Sequence, residues 1–453
     1  MKRRHFLRNA GALCGAAALG QLGLFAVRGA AASALDYKAI VCVYLNGGND
    51  SNNMIVPIDA AGYAGYAKSR AALALPRASL LPLAEAGGVL RFGMHSALPG
   101  MHSLWHAGRL GVVANVGTLL RPLTQAQYLH TGTPRPDCLF SHIDQQRQWE
   151  SAHFNSTGGL SSSGWGGRLT DQLAALNVNA AVPPMISTAG TNLFVTAAAA
   201  GALVIPTSGQ FGLIAMSGTR EDEARRSAMS QLLAVDRGTN LIAAAQNVMD
   251  SALTCSAVLN PILTSADGVV VARFASLAAN SFARQLLAIA KVIEANSSLG
   301  ARRQVFLVEM SSFDTHSDQI SQQQALFEQL DAGLSAFHAA VGDIGMSDSV
   351  TSFTLSDFGR TYAANSSAGS DHGWGSHQLV VGGAVKGGKI YGTMPTLELA
   401  GPDDTDTKGR WIPTTSVDQY AAPLATWFGV NARQLAEVLP NLASFPSTPI
   451  GYI

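Results

Sequence analysis

Aspartate and histidine residues recur in the polar segments of this sequence, most often soon after an apolar run. These residues are Asp50, Asp314, His316, Asp357, Asp371, His372 and His377. Carboxylates supply negative charge and imidazoles supply directional nitrogen atoms, which together suit hard and borderline divalent metals. A pair of such metals can clamp a phosphoryl or sulfuryl group during its transfer. The residue types and their positions therefore predict a divalent-metal site.

Each of these segments also has a purely structural interpretation. Asp50, in the sequence Gly-Gly-Asn-Asp, suits a turn. Asp314 could cap the start of a helix, and Asp357 could form an ion pair with Arg360. The loop 371–377 is harder to explain in this way, because a loop seldom carries both Trp and His without a task. The structural and the metal-binding interpretations both stay open on sequence alone.

Short apolar, β-rich runs alternate with helical patterns along the chain. The predicted strands span residues 39–46, 110–116, 182–187, 304–310, 350–355 and 378–381. Several of them lack strict alternation of polar and apolar residues, as expected for strands that are covered on both faces. Apolar residues with helical spacing form one stripe over residues 282–293 and another over residues 326–337.

This alternation predicts an α/β fold, a three-layer sandwich around a mostly parallel central sheet. In such sheets the chemistry gathers at the carboxyl ends of the strands. Three polar segments, at 46–53, 312–316 and 356–361, directly follow predicted strands and should therefore meet at one edge. Residues 219–300 show helical signals with few strand signals. We interpret them as a possible helical insertion within a single domain of residues 35–453.

The composition excludes several classes of protein. The chain has 453 residues with 30 basic and 30 acidic side chains, but residues 1–34 hold five of the basic ones and no acidic one. The remainder therefore has 25 basic and 30 acidic side chains, a net charge of about −5, which argues against nucleic-acid binding. A hydrophobic content of 47% argues against a disordered chain. The absence of long apolar runs after the N-terminus argues against a multi-span membrane protein.

The N-terminal sequence is typical of an export signal. Arg3 and Arg4 precede Phe-Leu, an apolar stretch follows from about residue 10 to 27, and residues 32–34 offer the small-x-small pattern of a cleavage site. We interpret residues 1–34 as a twin-arginine signal peptide, with an uncleaved anchor as the alternative. The predicted location is the periplasm or the outside of the cell, with no membrane attachment after cleavage.

Three cysteines follow this segment: Cys42, Cys138 and Cys255. Cys42 lies within an apolar run and is predicted to be a small buried hydrophobe. Cys138 and Cys255 could pair in an oxidising compartment, which the sequence does not decide. The sequence has no Cys-x-x-Cys, so a thiolate zinc site is not expected.

Six motifs occur in order along the chain. They are NGGND from residue 46, SHID from residue 141, GWGGRL from residue 164, FDTH from residue 313, SDFGRT from residue 356 and DHGWG from residue 371. This series, over about residues 38 to 440, resembles the exported bacterial proteins grouped as domain of unknown function 1501. That family is similar to the alkaline phosphatase and sulfatase superfamily, and the resemblance implies an alkaline-phosphatase-like fold.

The resemblance also implies roles for individual residues. The implied metal ligands are Asp50, Asp314, His316, Asp357 and one or more of Asp371, His372 and His377. The implied cofactor is a divalent metal: zinc, manganese, magnesium or calcium. Phe358 stands where many superfamily members have His, and Met54 stands where relatives often have Thr. Ser51 is then the nearest candidate nucleophile, with a turn as its structural alternative, and Arg360 and His142 are candidates to bind a tetrahedral anion.

Two classes of function follow from the resemblance. The first is an exported metal-dependent hydrolase of phosphate or sulfate esters, acting on a small-molecule or polymer substrate. The second is a non-catalytic member of the same fold that binds a protein partner or an extracellular polymer. The substitutions at Met54 and Phe358 favour the second class. Retention of the residues Asp314, His316, Asp371 and His372 favours the first.

Overall fold

A computed structural model of the chain describes residues 36–453, apart from residues 86–87, 89, 158, 160, 199–200, 213–218, 234 and 236–239. The predicted signal peptide, residues 1–34, lies outside the described residues. Within the described part of the chain, no helix combines the length and the apolar character needed to cross a membrane.

Twelve strands are found among the described residues, nine of them in one sheet. They are β1 (Lys38–Leu45), β2 (Ile55–Pro57), β3 (Leu81–Pro82), β4 (Phe92–Met94), β5 (Leu110–Gly117), β6 (Met185–Ser187), β7 (Leu203–Val204), β8 (Arg303–Met310), β9 (Val350–Ser356), β10 (Ser376–Gly382), β11 (Lys389–Tyr391) and β12 (Thr415–Ser416). The large sheet has the order β11-β5-β10-β9-β1-β8-β6-β7, with β12 beside β5. Every neighbouring pair in it is parallel except the two pairs that involve β10. Strands β2, β4 and β3 form a separate antiparallel sheet.

Thirteen α-helices connect these strands in the described residues. They are α1 (Ser51–Met54), α2 (Ala60–Arg70), α3 (Pro99–His106), α4 (Gln125–Leu129), α5 (His142–Ser151), α6 (Trp165–Gln172), α7 (Arg220–Leu233), α8 (Asn240–Thr264), α9 (Val269–Ala272), α10 (Ser281–Glu294), α11 (Gln319–Asp343), α12 (Val417–Phe428) and α13 (Ala432–Val438). Helices α3, α10 and α11 cover one face of the large sheet, and α5, α6, α12 and α13 cover the other.

The central strand β1 shows why the sheet is buried on both sides. Its residues Ala39, Val41 and Val43 join the first apolar core, whereas Ile40 and Cys42 join the second. Because successive side chains of a strand point to opposite faces, a strand between two helical layers must be apolar at every position. The three-layer α/β fold predicted from sequence is thus confirmed.

The predicted elements agree closely with the observed ones. The six predicted strands correspond to β1, β5, β6, β8, β9 and β10, and the two apolar stripes lie buried on α10 and α11. The region 219–300 is helical in its described part, but α10 packs against β8 and α11 within the main core. That part of the region therefore belongs to a layer of the sandwich.

Candidate metal site

The carboxyl ends of β1, β8 and β9 lie side by side, because the three strands are parallel neighbours. Asp314 and His316 follow β8, and Asp357 follows β9. His372 comes from the loop that leads into β10, where it forms an isolated antiparallel bridge with Arg360. His142 begins α5 on the second face of the sheet. The sheet thus delivers residues from distant parts of the sequence to one edge.

Three imidazoles and one carboxylate converge at this edge. The Nε2 atom of His372 lies 3.1 Å from Nε2 of His142 and 3.0 Å from Nε2 of His316. The carboxylate of Asp314 lies 3.0 Å from His316 Nε2, 3.4 Å from His372 Nε2 and 3.5 Å from His142 Nε2. These four residues are called the histidine–aspartate cluster below.

Hydrogen bonds to the opposite ring nitrogens define the state of two of these imidazoles. His372 Nδ1 lies 2.7 Å from the carbonyl oxygen of Phe140, and His142 Nδ1 lies 2.6 Å from the carboxylate of Asp357. A carbonyl only accepts hydrogen bonds, so Nδ1 of His372 carries the proton, and the Asp357 carboxylate favours the same tautomer for His142. In the neutral rings both Nε2 atoms then present lone pairs to each other.

Facing lone pairs at such short distances need a cation between them, either a proton or a metal ion. A proton can bridge only one pair of Nε2 atoms, whereas one metal ion can bind several nitrogen and oxygen atoms at once. Two ligands bound to zinc at 2.0–2.1 Å are separated by roughly 2.9 Å at a right angle and by roughly 3.3 Å in tetrahedral geometry. The separations of 3.1–3.5 Å among His142, His372 and Asp314 lie close to that range, and the ligand atoms of these three residues all lie within 4.8 Å of one another. His316 adjoins this group through His372 and Asp314. The donor set therefore fits a divalent metal.

Arg360 fixes the carboxylate of the cluster. Its Nη1 donates to Asp314 Oδ1 at 2.6 Å, and further hydrogen bonds bind its guanidinium to Ser370 and to the carbonyl of Gly47. Burial alone would raise the pKa of Asp314, but the hydrogen bond and charge of Arg360 hold it below its ordinary value. The Arg360 side chain is completely buried. This placement suits orientation of Asp314 and does not suit the predicted contact with a tetrahedral anion.

Aromatic packing holds the imidazoles in place. The ring of Phe358 stacks on His372 at 4.6 Å and lies 4.7 Å from the ring of His142. Phe358 reaches this position because Gly48, with φ of +87°, has no side chain; a Cβ there would lie 2.5 Å from the Phe358 ring. Phe140 has a positive φ of 72°, which is unusual for a bulky residue. Its carbonyl oxygen is the atom that contacts Nδ1 of His372.

The pKa values of His142 and His372 are shifted in opposite directions. The hydrogen bond to Asp357 raises the pKa of His142, whereas burial lowers the pKa of His372. A lowered pKa keeps His372 neutral near pH 7, as a metal ligand must be. Asp357 itself is fully buried and also accepts hydrogen bonds from Tyr44 (2.5 Å) and the Gly47 amide (3.1 Å). It therefore lies behind His142, not among the atoms that face the cluster.

Asp371 lies at the edge of the cluster. Its carboxylate is 3.5 Å from Nδ1 of His316 and 3.4 Å from the ammonium group of Lys408. Burial opposes a low pKa here, but the hydrogen bond from Asn365 and the charge of Lys408 lower the pKa of Asp371. Asp371 thus supports His316 from the side, with its charge partly balanced.

The structure places Asp50 in a separate buried network. Its carboxylate forms an ion pair with Arg70 and accepts a hydrogen bond from Gln319, and both side chains of the ion pair are fully buried. It also accepts from the amide of Asn52 at 3.1 Å and so caps α1. Asp50 is not brought to the histidine–aspartate cluster, because its oxygens are already held by these partners.

Ser51 and His377 are also outside the cluster. Ser51 is buried, and its hydroxyl accepts a hydrogen bond of 2.8 Å from the backbone amide of His377. Nδ1 of His377 accepts from the amide of Asn115 at 3.0 Å, and burial lowers the pKa of His377 to about 4. Met54, which stands where relatives often have Thr, is fully buried as well. Ser51, His377 and Met54 are thus enclosed by the protein and lie outside the histidine–aspartate cluster.

Sequence reasoning missed Tyr44, Phe140 and Arg70 as parts of these networks. Nothing in the local sequence marks Tyr44 as the hydrogen-bond donor to Asp357, because it lies within an apolar strand. Arg70 closes a helix and has no motif around it. Phe140 directly precedes the SHID motif, and this position is the one sequence feature that could have indicated its role. Cys138 and Cys255, whose pairing the sequence left open, are both free thiols.

Comparison with known proteins identifies the family of the chain. The family described as "Protein of unknown function (DUF1501)" matches residues 37–407. No curated protein sequence matches the chain.

Several solved structures are similar in fold at low identity. The PsFucS1 sulfatase from Pseudoalteromonas sp. is 10% identical, with 100% of this chain and 76% of that chain covered and a TM-score of 0.37. The C-terminal periplasmic domain of EptC from Escherichia coli, in complex with Zn, is 10% identical, with 77% and 74% covered and a TM-score of 0.32. The lipoteichoic acid synthase LtaP from Listeria monocytogenes is 8% identical, with 84% and 76% covered and a TM-score of 0.32. The similarity concerns the fold alone.

Proposed function

The chain belongs to the protein family of unknown function DUF1501, and we propose that it is an exported, metal-dependent hydrolase of phosphate or sulfate esters. The observation that carries the proposal is the convergence of three imidazole Nε2 atoms on one carboxylate at the carboxyl edge of the sheet. The side chains of Asp314 and His316 are 43% and 45% exposed, so a substrate in solution can reach them. A purely structural site would normally be closed.

His142, His372 and Asp314 would hold the metal in this proposal, with His316 beside His372 and Asp314. When bound, a divalent metal supplies Lewis-acid stabilisation of charge on the phosphoryl or sulfuryl oxygens. An imidazole-rich set favours zinc over manganese, magnesium and calcium, which prefer oxygen ligands. Among the metals considered from sequence, zinc is therefore the one we expect to support turnover.

The residues behind the cluster act as positioning residues. Asp357 and the Phe140 carbonyl hold protons on Nδ1 of His142 and His372, which leaves each Nε2 free to bind metal. Arg360 orients the Asp314 carboxylate and keeps it ionised. Such contacts reduce the reorganisation that metal binding and catalysis require.

The nucleophile follows from the burial of Ser51. Only 2% of Ser51 is exposed, and its hydroxyl is engaged with the amide of His377. A serine that attacked an ester would have to reach the substrate, so we infer that water attacks instead. The exposed cationic side chain of Lys408, next to Asp371, offers one positive charge at the rim for an anionic ester.

The test uses protein that is stripped with chelator and reconstituted separately with zinc, manganese, magnesium and calcium. Phosphate monoesters, phosphate diesters and sulfate esters are assayed with the wild type and with His372→Ala. We expect turnover with zinc, and its loss in His372→Ala with the fold retained by circular dichroism. His153→Ala, at an exposed histidine outside the cluster, is the matched control and should keep full activity.

One outcome would favour the alternative function. If metal binds tightly at the cluster but no ester of the panel is hydrolysed, the hydrolase proposal fails. The protein would then be a non-catalytic member of the fold that binds a polymer or a protein partner. One observation favours this alternative: Asp50 forms an ion pair with Arg70 and does not contribute to the cluster.

A further inference from the structure

A second pair of imidazoles lies on α3, a helix that contributes nothing to the histidine–aspartate cluster. His102 and His106 are four residues apart, so their side chains lie on the same face of the helix. Their Nε2 atoms are 3.0 Å apart, and the ring centroids are 4.4 Å apart with an interplanar angle of 86°. His102 Nε2 also lies 2.8 Å from the carbonyl oxygen of Pro82 in β3.

This arrangement brings two further atoms with lone pairs, His106 Nε2 and the Pro82 carbonyl oxygen, to His102 Nε2. The Pro82 carbonyl can only accept a hydrogen bond, so a proton on His102 Nε2 that points toward it does not also serve His106. A metal ion bound to His102 Nε2 could accept lone pairs from both neighbours. The separation of 3.0 Å equals the His316–His372 separation in the histidine–aspartate cluster and suits two nitrogens bound to one metal.

The surrounding residues hold these donors in a fixed frame. Trp105, between the two histidines, is fully buried, and its indole nitrogen donates to the carbonyl of Ala84 at 3.1 Å. The amides of Gly100 and Met101 at the start of α3 donate to the carboxylate of Asp331 on α11. Helix α3 and the chain after β3 are therefore anchored to the body, and the donors need little ordering to bind a ligand.

We propose that His102, His106 and the Pro82 carbonyl form a second metal site, for a late first-row divalent cation such as zinc, nickel or copper. Imidazole nitrogens select these metals over calcium and magnesium. The bound ion would link α3 to β3 in the small antiparallel sheet and so stabilise that part of the fold. The proposal is independent of the proposed hydrolase function, because it uses none of the residues of the histidine–aspartate cluster.

The experiment measures zinc stoichiometry in protein purified without a polyhistidine tag. Equilibrium dialysis against zinc, followed by elemental analysis, is performed on the wild type, His106→Gln, His102→Gln and the control His130→Gln, an exposed histidine on another segment. We expect each α3 variant to lose one zinc per chain, with the control unchanged. Adding His372→Ala to His106→Gln should remove a further equivalent, which distinguishes the two sites.

A second readout is the thermal midpoint in the presence and absence of zinc. Zinc should raise the midpoint less in His106→Gln than in the wild type, because a ligand stabilises only the state that binds it. Since His106 is exposed, the variant should fold normally, and circular dichroism checks this. Equal zinc stoichiometry and an equal midpoint shift in the wild type and both α3 variants would show that the pair is only a hydrogen-bonded contact and would overturn the proposal.

Discussion

Glu150 is a buried carboxylate near the candidate site, and its ionisation should make the stability of the protein depend on pH. It lies on α5, the helix that begins with His142, and it is only 3% exposed. Its Oε1 accepts hydrogen bonds from Gln146 at 2.8 Å and from Asn192 at 2.7 Å. Burial raises the pKa of Glu150 from its ordinary 4.5 to about 7 in spite of these hydrogen bonds. The carboxylate is thus costly to ionise in the folded protein.

The direction of the pH effect follows from this raised pKa. Between pH 4.5 and 7 the folded protein keeps the Glu150 proton while the unfolded chain releases it, so the free energy of unfolding falls as pH rises. Full ionisation costs about 3 kcal/mol, from about 2.5 pKa units at 1.36 kcal/mol each. Integrated over both titrations, the loss between pH 5 and pH 8 is roughly 2–3 kcal/mol.

The perturbation is Glu150→Gln, which keeps an acceptor oxygen for Gln146 and Asn192 and has no charge to bury. We expect the free energy of unfolding of the variant to fall less than that of the wild type between pH 5 and pH 8, by about 2–3 kcal/mol. Urea unfolding at both pH values measures this, with chelator present so that metal loading is constant. The exposed Glu437→Gln is the matched control. A wild-type decrease no larger than that of Glu150→Gln would refute the reasoning.

Three further predictions concern the networks around the site. Asp357→Asn should weaken metal binding by about 10- to 100-fold, because the partner that orients His142 loses its charge; chelator competition measures this, and unchanged affinity would contradict the orienting role. Asp50→Asn should lower the free energy of unfolding by about 3–5 kcal/mol, since it leaves the buried Arg70 charge unpaired. Its control is Asp343→Asn, in a partly exposed ion pair with Arg273, which should change the free energy of unfolding far less in the same urea titration. Ser51→Ala should leave kcat on any ester that the protein hydrolyses nearly unchanged, whereas loss of turnover would restore Ser51 as the nucleophile.

The layers of the fold could be predicted from the sequence, because a sheet that is buried on both faces requires strands with uninterrupted apolar runs. The apolar run at 39–46 predicted β1 to within a residue at each end, and the stripe at 282–293 lies on α10 as expected. The short strands β2, β3 and β4 were not predicted. They have two or three residues each, which is too few for alternation to stand out, and tertiary pairing fixes them.

The candidate site could be predicted from sequence where a strand end or a loop rich in Trp and His marked its residues. Asp314, His316 and His372 were singled out from their positions, and the structure brings them together. His142 was assigned a different role, because its position at the start of α5 gives no sign that it faces His372 across the edge of the sheet. Asp50 follows β1 as a ligand would, yet the buried charge of Arg70, from another helix, holds its carboxylate. Such pairings depend on three-dimensional packing that a linear pattern does not record.

The central claim is that His142, His372 and Asp314 hold a divalent cation. A crystal of the zinc-loaded protein, measured on both sides of the absorption edge of zinc, tests this most directly. We expect an anomalous difference peak within about 2.0–2.3 Å of the Nε2 atoms of His142 and His372 and of the Asp314 carboxylate. Crystals of zinc-loaded protein with no peak at these three residues, or with the metal at Asp50 instead, would contradict the claim.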